Sequence, residues 1–259
     1  MKPLNKTEIK QNLKNNVEVK IFDQVSSTSD YAKDFTKQND VKVPHIFISE
    51  QQTGGHGLHQ RPFFSPKGTG LYISILLPNF KVDPQKEGLI TTGTVVVVIN
   101  SLLEFYPQTD FKIKWVNDVL LNHKKIGGIL TEVVQNDLIV GIGLNLNTVN
   151  FPKELKAKVG DINSEKPIDR NLLAAKITDE FLTMMHDYQS GSFLLEYSDK
   201  LDTLNHQVVI KLGNRTVTGI ARGVDQNGAL VIKEKNGKIK TISTGEVVKV
   251  TSPDNTYKG

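Results

Sequence analysis

The sequence predicts an α+β protein in two parts, a larger part of mixed elements and a small C-terminal part of antiparallel strands. Through most of the chain, short runs typical of strands are interspersed with longer runs at helical spacing. From His206 onward, the pattern changes to short alternating strands separated by turns that contain glycine and asparagine. A unit this small rarely stands alone, so we expect it to dock on the larger part. The predicted domains are residues 1–204 and 205–259.

The first elements follow from alternation and helix capping. Residues 17–22 alternate between apolar and polar side chains, as a half-buried strand does. Residues 26–30 then offer several N-cap side chains for a helix that runs through Phe35. Apolar runs at 45–49 and 71–77 predict two further strands.

Residues 91–105 are ambiguous, because their valines favour a strand whereas the length of the run and its later leucines suit a buried helix. We predict a helix, a choice that the family resemblance given below also favours. A turn at Asn136-Asp137 separates two further strands, and helical spacing returns later in the chain. The elements predicted here are strands at 124–134 and 138–146 and helices at 169–188 and 193–204.

The composition excludes several classes of protein. The 259 residues include 32 Lys and Arg and 28 Asp and Glu, a formal charge of +4 without a basic run, which is a weak nucleic-acid footprint. Without cysteine, disulfides, thiolate metal sites and a cysteine nucleophile are excluded. The polar N-terminus does not resemble a secretory signal, and the longest apolar block, 95–99, is far shorter than a membrane span. We expect a cytoplasmic protein.

Two neighbouring segments combine charge with backbone that a ligand can approach closely: Lys-Trp-Val-Asn-Asp at 114–118 and Lys-Ile-Gly-Gly-Ile-Leu at 125–130. A lysine buried in a strand pair is costly unless it is paired. Lys114 and Lys125 therefore need partners, and a bound anion is one candidate. Taken singly, each lysine is more simply explained as an exposed residue on an edge strand.

Two further motifs also have a simple and a functional explanation. The glycine-rich loop at 54–62 suits either a flexible connection or a backbone cradle for phosphate. Ser27-Thr28-Ser29 suits either a helix cap or a polar ligand site at a helix N-terminus. The histidines lack the spacing of metal ligands, so we do not expect a metal site made by the protein alone.

Together these motifs resemble those of the biotin protein ligases, in order and rough spacing, across most of the chain. The family patterns are Ser-Thr-Asn, a glutamine followed by Gly-Arg-Gly-Arg-x-x-Arg, Lys-Trp-Pro-Asn-Asp, Lys-Leu-Ala/Gly-Gly-Ile-Leu and Gly-x-Gly-x-Asn-x-Asn, with a further signature in the C-terminal barrel. The corresponding segments here are 27–29, Gln52 with 55–61, 114–118, 125–130, 141–147 and 223–230.

The resemblance implies a fold and an activity. The fold is a mixed-sheet ligase catalytic domain with packed helices, followed by a small SH3-like β-barrel. In the first step of the activity, biotin and ATP, accompanied by Mg²⁺, give biotinyl-5′-AMP and pyrophosphate. In the second step, biotin passes to a lysine of the biotin carboxyl carrier protein of acetyl-CoA carboxylase, and AMP is released.

The resemblance also implies roles for individual residues. Lys125 would hold the biotin carboxyl and acyl-phosphate oxygens, Lys114 would lie near the phosphates, and Asp118 would orient the acceptor lysine or ligate Mg²⁺. Such a site needs cationic donors where negative charge develops. The expected nucleotide-binding residues are Arg61, Phe63, Lys114, Asn117 and Asn145. The expected biotin-binding residues are Ser27, Thr28, Ser29, Gln52, Gly55, His56, Gly57, Leu58, Lys125, Gly127 and Gly128.

The glycine-rich loop departs from the family pattern. In the stretch of the loop where the family has its arginines, this chain has His56, Leu58 and His59; Arg61 alone remains, and Phe63 replaces a tryptophan. Arginine makes bidentate phosphate contacts that leucine and neutral histidine cannot make. We expect weaker clamping of the adenylate and leakage of this intermediate. A lipoate-type ligase, or a biotin- or adenylate-binding relative with reduced turnover, stays open as an alternative.

Some members of the family also repress transcription through an N-terminal helix-turn-helix. Only residues 1–16 precede the first predicted strand, too few for three helices. We therefore expect a monofunctional ligase that binds neither specific DNA nor a membrane. The oligomeric state is open, with a homodimer among the options.

Overall fold

The larger part of the protein is built on one mixed sheet. The computed structural model describes residues 1–162, 168–251 and 257–258. The strands are β1 (Glu18–Phe22), β2 (His45–Ser49), β3 (Gly70–Leu77), β4 (Lys112–Lys114), β5 (Asp118–Leu121), β6 (Lys124–Val134) and β7 (Asp137–Asn145); the helices are α1 (Lys6–Asn12), α2 (Thr28–Gln38), α3 (Glu87–Phe105), α4 (Arg170–Met185) and α5 (Leu194–Asp199). The sheet order is β1-β2-β3-β7-β6-β5-β4, with β1 and β2 parallel and the other neighbours antiparallel. The predicted mixed α+β fold is confirmed.

Helices cover both faces of the sheet. Successive side chains of a strand point to opposite faces, and in β3 both faces are apolar. Ile75 belongs to the larger core, which also contains residues of α3 and α4. The next residue, Leu76, belongs to a smaller cluster with Ala32 of α2. The central strands are therefore almost continuously buried, which is why they appear in the sequence as unbroken apolar runs.

Helix α3 confirms the helix predicted from an ambiguous valine-rich run, although it begins at Glu87, before residue 91. By length and composition it could cross a membrane, since its most apolar window has a mean hydropathy of 1.6. However, 67% of that window is buried inside the protein, where α3 packs against α4, α5 and β6. We conclude that α3 is a core helix of this fold.

Several predicted element bounds differ from the structure, among them the helix predicted at 169–188, which is Arg170–Met185. The helix predicted at 193–204 ends at Asp199, because the next residues pair with β4 through Ile113 and Leu201. The glycine-rich loop contains a single turn of 3-10 helix, Leu58–Gln60. Asp137 is the first residue of β7 and is not part of the turn, which uses the left-handed backbone of Gln135 instead.

The C-terminal strands form a separate antiparallel sheet, as predicted. These strands are β8 (Gln207–Leu212), β9 (Arg215–Val224), β10 (Leu230–Lys233), β11 (Ile239–Ile242), β12 (Glu246–Thr251) and β13 (Tyr257–Lys258). Their order is β11-β10-β9-β8-β12-β13. The sheet contacts the larger part at the turn after β9, where the Gly228 carbonyl accepts a hydrogen bond of 3.1 Å from Trp115 Nε1. Closure into an SH3-like barrel and the domain boundary at residue 204 stay predictions.

Candidate active site

A cavity opens between the central sheet and the glycine-rich loop. Its floor comes from β6 and β7, one end from the start of α2, the other from the β4–β5 turn, and its rim from the loop. The structure therefore brings together most of the site residues that the sequence predicts. Those that line this cavity are Ser27, Thr28, Ser29, Gln52, His56, Gly57, Leu58, Arg61, Phe63, Lys114, Asn117, Asp118, Lys125 and Gly128.

A buried polar network forms the end of the cavity at α2. Ser27 caps the helix, as predicted, by accepting a hydrogen bond from the Asp30 N–H. The side-chain oxygen of Gln52 accepts from both the N–H and the hydroxyl of Thr28, at 2.8 and 3.1 Å. Ser74 of β3 donates to the Thr28 hydroxyl at 2.8 Å. These contacts fix the orientation of donors and acceptors that face the cavity.

Ser74 was not predicted as a site residue, although the sequence contains a signal for this role. It is one of the few polar residues of β3 and it is fully buried. Its hydroxyl is within hydrogen-bond distance of both Thr28 and Ser29. A hydroxyl in a buried strand needs a partner, so this residue points to a polar neighbour across the sheet.

Two glycines of β7 leave the space that the cavity needs. A Cβ at Gly141 would lie 2.5 Å from Ser29 Oγ. A Cβ at Gly143 would lie 2.7 Å from Cε1 of the Phe63 ring. The ring of Phe63 therefore lies directly on the backbone of β7, and it separates the cavity from a second one.

The opposite end of the cavity carries its charges. In the register of the sheet, Lys114 of β4 lies opposite Asp118 of β5, and Asp118 lies opposite Gly128 of β6. Lys125 Nζ lies 2.6 Å from Asp118 Oδ1, with side chains that are 33% and 20% exposed. Lys125, for which the sequence suggested a bound partner, thus has a carboxylate partner within the protein. Because this pair is partly solvated, an anionic ligand can compete for the lysine.

The β4–β5 turn, Trp115-Val116-Asn117, is tied to its surroundings. The side-chain amide of Asn117 donates to the Ile129 carbonyl at 2.7 Å, and the Ile129 N–H donates to the Asn117 carbonyl. The hydroxyl of Tyr197 on α5 donates to the Val116 carbonyl at 2.8 Å. Burial and the nearby carboxylate of Asp118 raise the pKa of Tyr197 well above its usual value, so this hydroxyl stays a donor.

The second, more apolar cavity adjoins the first. The two share Arg61, Phe63, Lys114, Asp118 and Lys125, and the second is also lined by Leu120, Phe64, Phe151 and Val250. The predicted nucleotide residue Asn145 lies in its wall and donates to the Gly160 carbonyl at 3.0 Å. The Asn145 Oδ1 atom is buried and has no hydrogen-bond partner among the described residues. Such an atom is suited to accept a hydrogen bond from a ligand.

Three predicted residues contribute differently from the rest. Gly55 and Gly127 line neither cavity; a Cβ on Gly127 would meet Leu144 on the far side of β6, so only its backbone is available to a ligand. His56 is folded back, with Nδ1 3.2 Å from the Gly54 carbonyl and Nε2 3.7 Å from Asp30 Oδ1. Their roles in binding stay predictions.

The carboxylates available to a metal are few. Within the described ranges, no group of three or more His, Asp or Glu side chains could hold a metal ion. Asp118 and Asp202 are the acidic residues that line the two cavities. Magnesium commonly binds through one or two carboxylates and the phosphates of a substrate. The site fits Mg²⁺ in that form, as an ion that arrives with a nucleotide.

Comparisons with known proteins match both parts of the chain. Residues 21–148 match the Biotin/lipoate A/B protein ligase family, and residues 203–250 match the Biotin protein ligase C terminal domain. The bifunctional ligase/repressor BirA of Bacillus subtilis is 32% identical to this chain, over 94% of the chain and 78% of BirA. The biotin–[acetyl-CoA-carboxylase] ligase of Mycobacterium tuberculosis is 29% identical, over 78% of each protein.

The fold comparison covers nearly the same length. The structure of the biotin protein ligase from Aquifex aeolicus in complex with biotin and ATP superposes with a TM-score of 0.74 and 28% identity, over 88% of this chain and 97% of that one. The sequence and fold comparisons thus agree over most of the chain. The chain belongs to the biotin protein ligase family.

Proposed function

We propose that this protein is an ATP-dependent biotin–protein ligase, which forms biotinyl-5′-AMP and transfers biotin to a lysine of a biotin carboxyl carrier protein. The observation that carries the proposal is the position of the Lys125–Asp118 pair, which lines both the polar cavity and the apolar one. The polar cavity offers hydrogen-bonding groups at α2 for the biotin ring system. The apolar cavity offers aromatic side chains and the unpartnered Asn145 oxygen for the adenine base.

In the first step, a carboxylate oxygen of biotin attacks the α-phosphorus of ATP, the bond to the bridging oxygen breaks, and pyrophosphate leaves. Two anions must approach each other, so the barrier falls where cations are already in place. Lys125 and Lys114 line both cavities and are joined there by Arg61. Since two of the three family arginines are absent from the loop, these three residues supply most of the positive charge.

In the second step, the amine of the acceptor lysine attacks the carbonyl carbon of biotinyl-5′-AMP, and AMP leaves with the electrons of the acyl–oxygen bond. The amine also gives up a proton, which the Asp118 carboxylate is placed to take. Asp118 is suited to accept its hydrogen bond, because the carboxylate is released when Lys125 turns from Asp118 to the anionic acyl phosphate. Mg²⁺ would screen the ATP phosphates, with Asp118 as the carboxylate closest to both cavities.

Biotin is favoured over lipoate as the substrate by the C-terminal match. The catalytic match includes biotin and lipoate ligases, whereas residues 203–250 match a domain of biotin protein ligases. We infer that the C-terminal sheet closes into an SH3-like barrel, which its antiparallel strands support. An acceptor from acetyl-CoA carboxylase, a cytoplasmic location and a homodimer remain inferences.

The test is a reconstituted reaction. The protein is incubated with biotin, Mg-ATP and a biotin carboxyl carrier domain, and the product is detected with avidin. A carrier domain with its acceptor lysine changed to arginine is the control. We expect biotin on the unmodified carrier only, and biotin-dependent exchange of pyrophosphate into ATP. Exchange without transfer would identify an adenylating relative with reduced turnover, and exchange supported by lipoate but not biotin would identify a lipoate-type ligase.

A further inference from the structure

The β4–β5 turn joins two residues of the reaction site and is held mainly from the C-terminal region of the chain. Lys114 is the last residue of β4 and Asp118 the first of β5, so Trp115, Val116 and Asn117 are the whole connection between them. A change in the path of these three residues moves both charged side chains. The contacts that fix the turn therefore affect the site, although the residues that make them belong neither to the glycine-rich loop nor to α2.

Two hydroxyl groups anchor the backbone of the turn. Thr203 Oγ1 accepts a hydrogen bond of 3.2 Å from the Trp115 N–H. Tyr197 donates a hydrogen bond of 2.8 Å to the Val116 carbonyl. Tyr197 is fully buried and Thr203 is 1% exposed, so water cannot replace either contact. A buried N–H or carbonyl that loses its partner is costly, and the turn would shift to find another.

A third contact ties the turn to the C-terminal sheet. The indole N–H of Trp115 donates to the Gly228 carbonyl at 3.1 Å, in the turn between β9 and β10. Gly228 has a left-handed backbone, with φ of 78°, and a Cβ there would lie 3.1 Å from Thr92 of α3. The turn that carries the Gly228 carbonyl thus lies against α3, and it presents this acceptor to Trp115.

We propose that Tyr197 and Thr203 are positioning residues for the reaction, which hold the β4–β5 turn so that Asp118 and Lys114 face the substrates. This inference rests on the proposed function, and it adds a part of the chain that the site motifs do not include. Tyr197 lines neither cavity, whereas Thr203 lies in the wall of the apolar cavity with its hydroxyl oxygen bonded to the Trp115 N–H. Both act through backbone atoms of the turn, and Asp118 in turn sets the place of Lys125.

The test uses hydroxyl-deleting variants with matched controls. Tyr197→Phe and Thr203→Val remove the two anchors. Tyr188→Phe and Thr178→Val remove buried hydroxyls whose hydrogen bonds lie elsewhere, with the Asp83 N–H and the Ala174 carbonyl. Biotin-dependent pyrophosphate exchange gives kcat and the KM for biotin, and denaturant unfolding of each variant identifies losses due only to stability.

We expect each anchor variant to lower kcat by about tenfold with the KM for biotin nearly unchanged, because small misplacements of reacting groups slow the chemical step more than binding. The double variant should lose little more than either single one, since both anchors hold the same turn. The control variants should keep the kcat of the unmodified protein. Anchor variants whose kcat falls no further than that of the controls would overturn the proposal.

A second measurement does not depend on activity. Trp115 is the single tryptophan of the chain and is 3% exposed, so fluorescence excited at the red edge of its absorption reports on the turn alone. Acrylamide quenching should increase in the anchor variants and stay unchanged in the controls. If the unmodified protein showed no pyrophosphate exchange, the proposed function would fail. The quenching measurement would still show whether Tyr197 and Thr203 hold the β4–β5 turn. Unchanged quenching in Tyr197→Phe and Thr203→Val would contradict the anchoring.

Discussion

Lys125 Nζ lies 2.6 Å from Asp118 Oδ1, on strands β6 and β5, where the polar and apolar cavities meet. In the proposed reaction, a lysine at this junction would reach a carboxylate on one side and phosphates on the other. Asp118 keeps the ammonium at this junction before the ligands arrive, so in the proposed reaction Lys125 has only to turn from the carboxylate to the acyl phosphate as charge develops.

We expect Lys125→Ala to abolish adenylate formation while the fold is retained. The loss of one preorganised donor typically lowers kcat by about 10²–10³-fold. Biotin-dependent pyrophosphate exchange measures the effect. Lys124→Ala, which removes the exposed lysine next to it on β6, is the control and should behave as the unmodified protein does. Near-normal turnover of Lys125→Ala would show that this residue does not hold the acyl phosphate.

Leu58 stands where the family has an arginine, and its side chain is 39% exposed at the rim of the polar cavity. We expect Leu58→Arg to slow the escape of biotinyl-5′-AMP by about tenfold or more, because a charge-assisted hydrogen bond contributes about 1.5–3 kcal/mol. The measurement is the dissociation of preformed adenylate, together with the biotin attached to bystander proteins in the same tube.

The control for this change adds the same charge at a distant place. Ile239→Arg alters a side chain that is 55% exposed on β11 of the C-terminal sheet. It should leave the dissociation of the adenylate unchanged. Equal effects of the two arginines would mean that net charge, and not a contact from the loop, retains the intermediate.

Tyr72 gives a prediction for alkaline pH. Burial raises the pKa of Tyr72 to about 12, and its hydroxyl donates to the Pro66 carbonyl at 3.1 Å. An unfolded tyrosine ionises near pH 10, so the unfolded chain loses this proton first as the pH rises. The stabilising effect is therefore complete below about pH 10 and is lost by about pH 12, a change of roughly 2–3 kcal/mol.

The measurement is the free energy of unfolding between pH 9 and 12, with and without Tyr72→Phe. The variant should be less stable at neutral pH, because it lacks the hydroxyl that bonds to Pro66, but its stability should fall less steeply above pH 10. Parallel curves for the two proteins would show that ionisation of Tyr72 is not coupled to folding.

The sequence predicted those parts of the fold and site that depend on local chemistry. Strand β6 was predicted with the bounds it has, and Ser27 was among the predicted caps of α2, because alternation and capping are properties of neighbouring residues. Charged and polar motif residues such as Lys125 could be found by their type alone. Their convergence on one cavity required the sheet order, which periodicity does not contain.

The residues that were missed act across the fold. Ser74 matters because α2 places Thr28 opposite it, and Tyr197 because α5 brings it to a carbonyl 81 positions earlier in the chain. The predicted end of α5 was wrong for the same reason. The helix ends at Asp199 because Leu201 pairs with Ile113 of β4. Contacts of this kind depend on the packing of whole elements, and no local pattern records them.

Gly143 tests how closely the ring of Phe63 must lie on β7. A Cβ at this position would be 2.7 Å from Phe63 Cε1 and 2.8 Å from Cζ, so Gly143→Ala must displace the ring. Overpacking of this kind typically costs about 1–3 kcal/mol. Because Phe63 lines both cavities, we expect the KM for ATP to rise by about tenfold or more with a smaller change in the KM for biotin.

Gly223→Ala is the matched control, since a Cβ there would meet no atom within 4 Å and the residue lies on β9 of the C-terminal sheet. It should leave both KM values unchanged. If Gly143→Ala raised the KM for biotin as much as that for ATP, the Phe63 ring would matter for biotin binding as much as for ATP binding. If neither constant moved, Phe63 would have room to turn aside, and the separation of the two cavities would not depend on contact between this ring and the β7 backbone.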